Sequence, residues 1–131
     1  MGESILIVED EQTLRENLAA FVAREGHRTA AVGSGAEAMA LLGRQSFDIV
    51  VTDIRLGDMD GLELLKKVRA TAPSAVVLMM TAYASIHSAI DAFRNGAHDY
   101  LLKPFSLHEF RQKISNIAEY RKLIRENAIL R

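Results

Sequence analysis

Five times along this chain a short apolar run is followed by a segment whose apolar residues recur every three or four positions. The runs "ILIVE" (5–9), "RTAAV" (28–32), "IVVTD" (49–53), "AVVLMM" (75–80) and "DYLL" (99–102) have strand length, and the third is rich in β-branched residues. Leu14, Leu18, Phe21 and Val22 mark one helical face, stopped at Gly26. Ser34 with Glu37 is a capping-box pattern that opens a second helix through Ala38, Leu41 and Leu42. Leu62, Leu65 and Val68 make a third, and Ile86, Ala89, Ile90 and Phe93 a fourth that ends at Gly96. Ser106 and Glu109 repeat the capping box and open the longest helix, with Leu107, Phe110, Ile114 and Ile117 on its apolar side. Strands without a polar face need helices on both sides, which parallel strands with crossover helices provide. Right-handed crossovers then give a doubly wound α/β fold, a five-stranded parallel sheet in a (βα)5 arrangement.

The rest of the chain narrows the class. A length of 131 residues predicts one domain with a usable core. The formal net charge of −1 gives no electrostatic case for direct binding to nucleic acid or an anionic membrane. With no cysteine there is no disulfide, thiol catalysis or cysteine-held zinc. The start carries no basic segment ahead of its short apolar run, so it is not read as a signal peptide, and a cytoplasmic protein is expected.

Doubly wound sheets bind ligands beyond the carboxyl ends of their strands. Here those ends carry Glu9-Asp10, Asp53, Thr81 followed by the small Ala82, and Lys103-Pro104. Convergence of three carboxylates is costly unless a cation sits among them. A hard divalent ion is expected, Mg²⁺ with Mn²⁺ as a substitute, because the tips offer oxygen donors and neither histidine nor cysteine. A carboxylate beside such an ion, with a lysine and a hydroxyl at hand, is equipment for phosphoryl transfer, and the carboxylate can itself be the nucleophile. Taken one at a time, Asp10 and Asp53 are ordinary solvated strand-end acids, Lys103 a surface lysine and Thr81 a turn residue. Only together do they define a site.

The segments "ILIVEDE", "VVTDIRLGDMDG", "VLMMTAYAS" and "YLLKPF", in this order, resemble the receiver domain of two-component response regulators, over residues 4 to about 120. The resemblance implies that Asp53 accepts a phosphoryl group from a phosphohistidine on a sensor histidine kinase. It implies that Asp10 and Asp53 hold Mg²⁺ with the backbone carbonyl of Arg55, and Glu9 through water. Lys103 then pairs with phosphoryl oxygens, Thr81 moves to hydrogen-bond them, and Tyr100 swings inward behind it. The Lys103–Pro104 peptide bond looks like the family's cis proline, and Gly61 like the glycine that begins its third helix. Asp58 and Asp60 are read as solvated loop acids, and His27, His87, His98 and His108 as surface residues. Arg55 and Tyr83 flank the site, either tuning dephosphorylation or simply solvated. "GSGAEA" (33–38) is faintly like a phosphate loop but is better read as a turn before a helix cap. One departure is that Leu56-Gly57 stands where the family usually has Met-Pro, which is expected to loosen the loop.

Residues 1–118 are taken as the receiver, and 119–131 as a helical extension that begins a linker. In it Tyr120, Leu123, Asn127 and Leu130 have coiled-coil spacing, read either as a frayed helix end or as a dimerising seam. With "TAYASI", this stretch is similar to the linkers of NtrC-like regulators, which implies a homodimer and an output of AAA+ ATPase and DNA-binding domains outside this sequence. The expected output is a conformation of the face made by the fourth helix, fifth strand and fifth helix, controlling transcription, and not an enzymatic product. Two rivals remain. A pseudo-receiver would bind partners without phosphorylation. An aspartate-nucleophile phosphohydrolase would need an acid two residues after Asp53, where Arg55 stands.

Overall fold

The structure, a computed structural model, describes residues 2–82 and 86–130, the backbone alone being described for 86–88 and 128–130. Tyr83 and the side chains of His87 and Leu130 therefore lie outside the described residues. The elements alternate throughout: β1 (Ser4–Val8), α1 (Gln12–Arg24), β2 (Arg28–Val32), α2 (Gly35–Leu42), β3 (Ile49–Asp53), α3 (Gly61–Thr71), β4 (Val76–Thr81), α4 (Ile86–Arg94), β5 (Asp99–Leu102) and α5 (Leu107–Leu130). The strands form one parallel sheet in the order β2-β1-β3-β4-β5. This is the expected doubly wound fold. Among the described residues no helix is long and apolar enough to cross a membrane.

Side chains alternate across a strand, so each apolar run feeds two cores. Leu6, Val8, Val50, Val77 and Met79 face one side and pack with Ala38, Leu64, Leu65, Val68 and Ala92 from α2, α3 and α4. Ile5, Ile7, Ile49, Val51, Leu78 and Met80 face the other and meet Leu18, Phe21 and Val22 of α1 and Phe110, Ile114 and Ile117 of α5. Burial of one such side chain contributes roughly 1.5–3 kcal/mol, so the central strands are the most firmly held part of the molecule. β2 is an edge strand and only partly covered, which is why its run can carry the polar Arg28 and Thr29.

The helix ends follow local chemistry. Gly26 and Gly96, just beyond α1 and α4, have φ of 93° and 102°, the left-handed conformation that ends a helix cheaply only at glycine. Ser34 caps α2 by accepting from the Glu37 N–H at 3.1 Å, and Ser106 Oγ accepts from the Glu109 N–H at 3.1 Å. α1 is capped by Glu11, whose carboxylate accepts from the Thr13 and Leu14 N–H groups. α5 runs unbroken past residue 118, and Arg121, within the expected linker, is bound back to the domain.

Candidate functional site

Parallel strands aim their carboxyl ends the same way, so the polar tips gather at one edge. Asp53 is the last residue of β3, 7% exposed, and Glu9, directly after β1, is 1% exposed. Thr81 ends β4 fully buried, and its carbonyl accepts from the Lys103 N–H at 2.7 Å, which extends the β4–β5 pairing to the lysine. The Lys103 side chain turns into the edge. Its Nζ donates to Glu9 Oε1 at 2.5 Å and to Asp53 Oδ2. The other Asp53 oxygen accepts from the Arg55 N–H at 2.9 Å. The Lys103–Pro104 bond is cis.

Asp10 is exposed on the rim. A Cβ placed on Gly57 would lie 3.9 Å from Asp10 Oδ2, so the loop between β3 and α3 passes beside this carboxylate. Gly61 has no room for a side chain: an added Cβ would fall 2.2 Å from the Asp53 carbonyl oxygen. Its N–H donates to the Ile54 carbonyl at 2.7 Å, so α3 begins directly against the end of β3. Ala82 is exposed beside Thr81, and Tyr100 is half-buried on β5 opposite Met79.

Electrostatics of the edge follow from burial. Burial pushes the Glu9 carboxyl up, against the Lys103 ammonium and the Glu11 N–H, which pull it down. Burial alone would lower Lys103, but its hydrogen bonds to Asp53 and then Glu9 outweigh this and hold its ammonium above the ordinary value. A single cation thus serves two buried acids. Among the described residues no three acidic or histidine side chains form a ready metal cage. The donor set around Lys103 nevertheless suits a hard cation, because Glu9, Asp53 and the nearby Asp10 offer only oxygen. A depression of about 450 Å³, lined by Glu11, Leu14, Ala82, Lys103, Pro104 and Phe105, opens onto the edge. A larger groove of about 510 Å³ lies at the opposite edge, against Tyr120 and Arg121, so size does not locate this site.

Several contacts were not foreseen. Asp58 is exposed but not merely solvated: its two oxygens accept from the Gly35 and Ala36 N–H groups, both at 2.9 Å. These bonds hold its carboxyl below the usual range. Asp60 caps α3 through the Leu62 N–H at 2.9 Å. His27 is half-buried, and its Nδ1 accepts from the Glu3 N–H at 3.0 Å. Arg15 on α1 donates to the Glu9 carbonyl at 2.8 Å and fixes the turn that carries the acid pair. Only Asp60 had a local signal, an acid directly before a helix-starting glycine. The partners of the others are settled by tertiary packing.

A strand-end carboxylate, a lysine paired to it and a buried threonine thus share one edge of the sheet. The chain belongs to the response regulator receiver domain family, whose model matches residues 5–115. It is 42% identical over 80% of its length to the response regulator protein FleR of Pseudomonas aeruginosa, of which it covers 22%. The solved structure of NtrX from Brucella abortus matches all of this chain with a TM-score of 0.93 at 32% identity, the match covering 30% of that chain. The beryllofluoride-activated NtrC4 receiver domain dimer matches 90% of this chain and 98% of its own, with a TM-score of 0.85 at 28% identity. The resemblance to receivers of NtrC-like regulators therefore holds. The chain spans about a quarter of the length of the curated relatives it matches.

Proposed function

We propose that this receiver is a phosphoacceptor switch in which Asp53 takes a phosphoryl group from a phosphohistidine of a sensor kinase. The observation that carries the reading is Lys103 bound at once to Glu9 and Asp53. An Asp53 oxygen attacks phosphorus, the P–N bond breaks, and the imidazole leaves with its proton. Asp10, Asp53 and the Arg55 carbonyl would hold Mg²⁺, with Glu9 acting through water; the ion supplies neutralisation of charge on the transferring oxygens. Lys103 exchanges its bond to Asp53 for one to a phosphoryl oxygen. The Thr81 hydroxyl donates to another, and Tyr100 follows it inward. The phosphoryl group thereby favours one of two conformations, and the output is that shift in population.

Exposed apolar side chains support an output through a partner surface. Ile90 and Phe93 on α4, Leu102 on β5 and Leu107 on α5 are 41–49% exposed. On this reading residues 1–118 form the switch, and the extension carries its state to a second copy and to an output domain that activates transcription. The seam on this reading is Tyr120, Leu123, Asn127 and Leu130, of which the first three are exposed.

The test is the intact mass after incubation with acetyl phosphate and Mg²⁺, beside Asp53→Asn and a chelated control. One added phosphoryl group in wild type, absent from both controls, is expected. No adduct, where a reference receiver is labelled, would replace this reading with the phosphorylation-independent one.

A further inference from the structure

We propose that Asp58 is a positioning residue for the phosphoryl site: it pins the proline-free loop after β3 to the N-terminus of α2, and so sets how readily the site takes up Mg²⁺. The inference rests on the acceptor reading of Asp53. The loop of residues 55–60 is closed by a bridge between Arg55 and Asp60 and by the Leu56 N–H donating to the Met59 carbonyl at 3.3 Å. It contains Gly57 and no proline, so its own sequence does little to stiffen it. Two anchors supply the stiffness. Leu56 is 8% exposed and lies in the core with Leu64 and Leu65. At the tip, Asp58 takes the Gly35 and Ala36 N–H groups, one on each oxygen.

These two donors, with Glu37 N–H on Ser34, are orphan groups of the first turn of α2. The carboxylate comes from 22–23 residues away, so it caps the helix and ties the loop to it in one contact. Met59 seals the joint: a Cβ on Gly35 would lie 2.4–2.9 Å from the Met59 side chain. The loop held in this way carries two features the site depends on. Arg55 donates its N–H to Asp53, and the Gly57 backbone runs beside Asp10. Releasing Asp58 frees the tip and leaves the Arg55 carbonyl less well placed for a cation. Asp53 itself, held on β3 and by Lys103, stays where it is.

The experiment is the initial rate of phosphorylation by acetyl phosphate across a Mg²⁺ titration, for wild type, Asp58→Ala, Asp58→Asn and Ala36→Pro. Ala36→Pro removes one donor from the helix side and leaves the loop sequence intact, within the first turn, where no intrahelical hydrogen bond is lost. Asp58→Ala is expected to raise half-saturating Mg²⁺ by about tenfold, the scale of losing a group that orients a metal ligand, with the rate at saturating Mg²⁺ unchanged. Asp58→Asn, which keeps one acceptor, falls between. Asp58→Ala with Ala36→Pro is expected to do no more than Asp58→Ala alone, because both remove the same contact. Lower melting temperatures with an unchanged Mg²⁺ requirement would reduce Asp58 to a stabilising cap and overturn the proposal. A wild type unlabelled at every Mg²⁺ concentration would instead remove the acceptor reading, and this inference with it.

Discussion

The two edges of the sheet are built on the same plan and use different cations. At the carboxyl edge, Lys103 bridges Glu9 after β1 and Asp53 at the end of β3. At the amino edge, Arg121 of α5 bridges Glu3 before β1 and Asp48 before β3, at 3.2 and 2.9 Å. Its third arm donates to the Ser74 carbonyl at 3.1 Å, near the start of β4. Each of the three guanidinium nitrogens thus donates one hydrogen bond in a fixed geometry, and the group does not lose its charge. An ammonium is a compact charge on a flexible stem, which can trade one oxygen for another. The amino edge is therefore a clasp, and on the proposed reading the carboxyl edge is a site whose ion pair is exchanged.

The largest effect should separate the edges outright. Asp53→Asn is expected to abolish the phosphoryl adduct, while Arg121→Ala keeps it, as read by intact mass. A loss of labelling in folded Arg121→Ala would break the comparison.

Stability comes next. Removing one member of a buried pair costs about 3–5 kcal/mol, because the remaining charge is stranded. Arg121→Ala should lose about 2–3 kcal/mol in urea unfolding, below that range because Asp48 is partly solvated and keeps the Ser4 N–H, and Glu3 keeps Arg125. Lys103→Ala should lose a similar amount without metal, but Mg²⁺ should recover much of it, by meeting Glu9 and Asp53 in place of the ammonium. Measured against wild type in the same Mg²⁺, Arg121→Ala should recover nothing, because the ion stabilises both equally through an intact carboxyl edge. Equal recovery in both variants would mean that the cation is not read at the carboxyl edge.

A smaller effect tests the fork. Arg121→Lys is expected to cost about 1–2 kcal/mol in the same unfolding assay, since one ammonium cannot serve Glu3, Asp48 and Ser74 together. The smallest concerns pH. Burial raises the Glu9 carboxyl, so the folded metal-free protein binds that proton more tightly than the unfolded chain. The contribution is present below the unfolded value near 4.5 and is lost as pH rises through the higher folded value. Wild type should therefore gain stability relative to Glu9→Gln as pH falls towards 4.5. Asp58 has the opposite sign: wild type should lose stability relative to Asp58→Asn as pH falls below 3.8 and through the lowered folded value. Unfolding of the paired variants across pH reads both.

What the sequence discloses follows from how far each interaction reaches. The strands were legible because runs such as "IVVTD" are apolar on both faces, and a sheet edge follows from five of them. Glu9, Asp53, Thr81 and Lys103 were legible because the fold rule brings strand ends together, and Gly61 only through the family resemblance, for which the structure supplies the reason that no side chain fits there. Asp58 was not. Its acceptor role depends on the N-terminus of α2, and nothing beside it in the chain differs from a solvated loop acid. Arg121 was read as part of an outlying linker, although its partners lie 73 and 118 residues earlier. Local patterns report elements and caps, whereas a tertiary hydrogen bond leaves no mark near either partner.

The most direct test of the account is to locate the modified residue. Wild type and Arg121→Ala would be treated with acetyl phosphate and Mg²⁺, reduced with borohydride to convert aspartyl phosphate to homoserine, and mapped by tandem mass spectrometry. Homoserine at position 53 alone, in both proteins, is the result the account predicts. Homoserine at Asp10, Asp58 or Asp60, or none in a wild type that has gained phosphate, would contradict it.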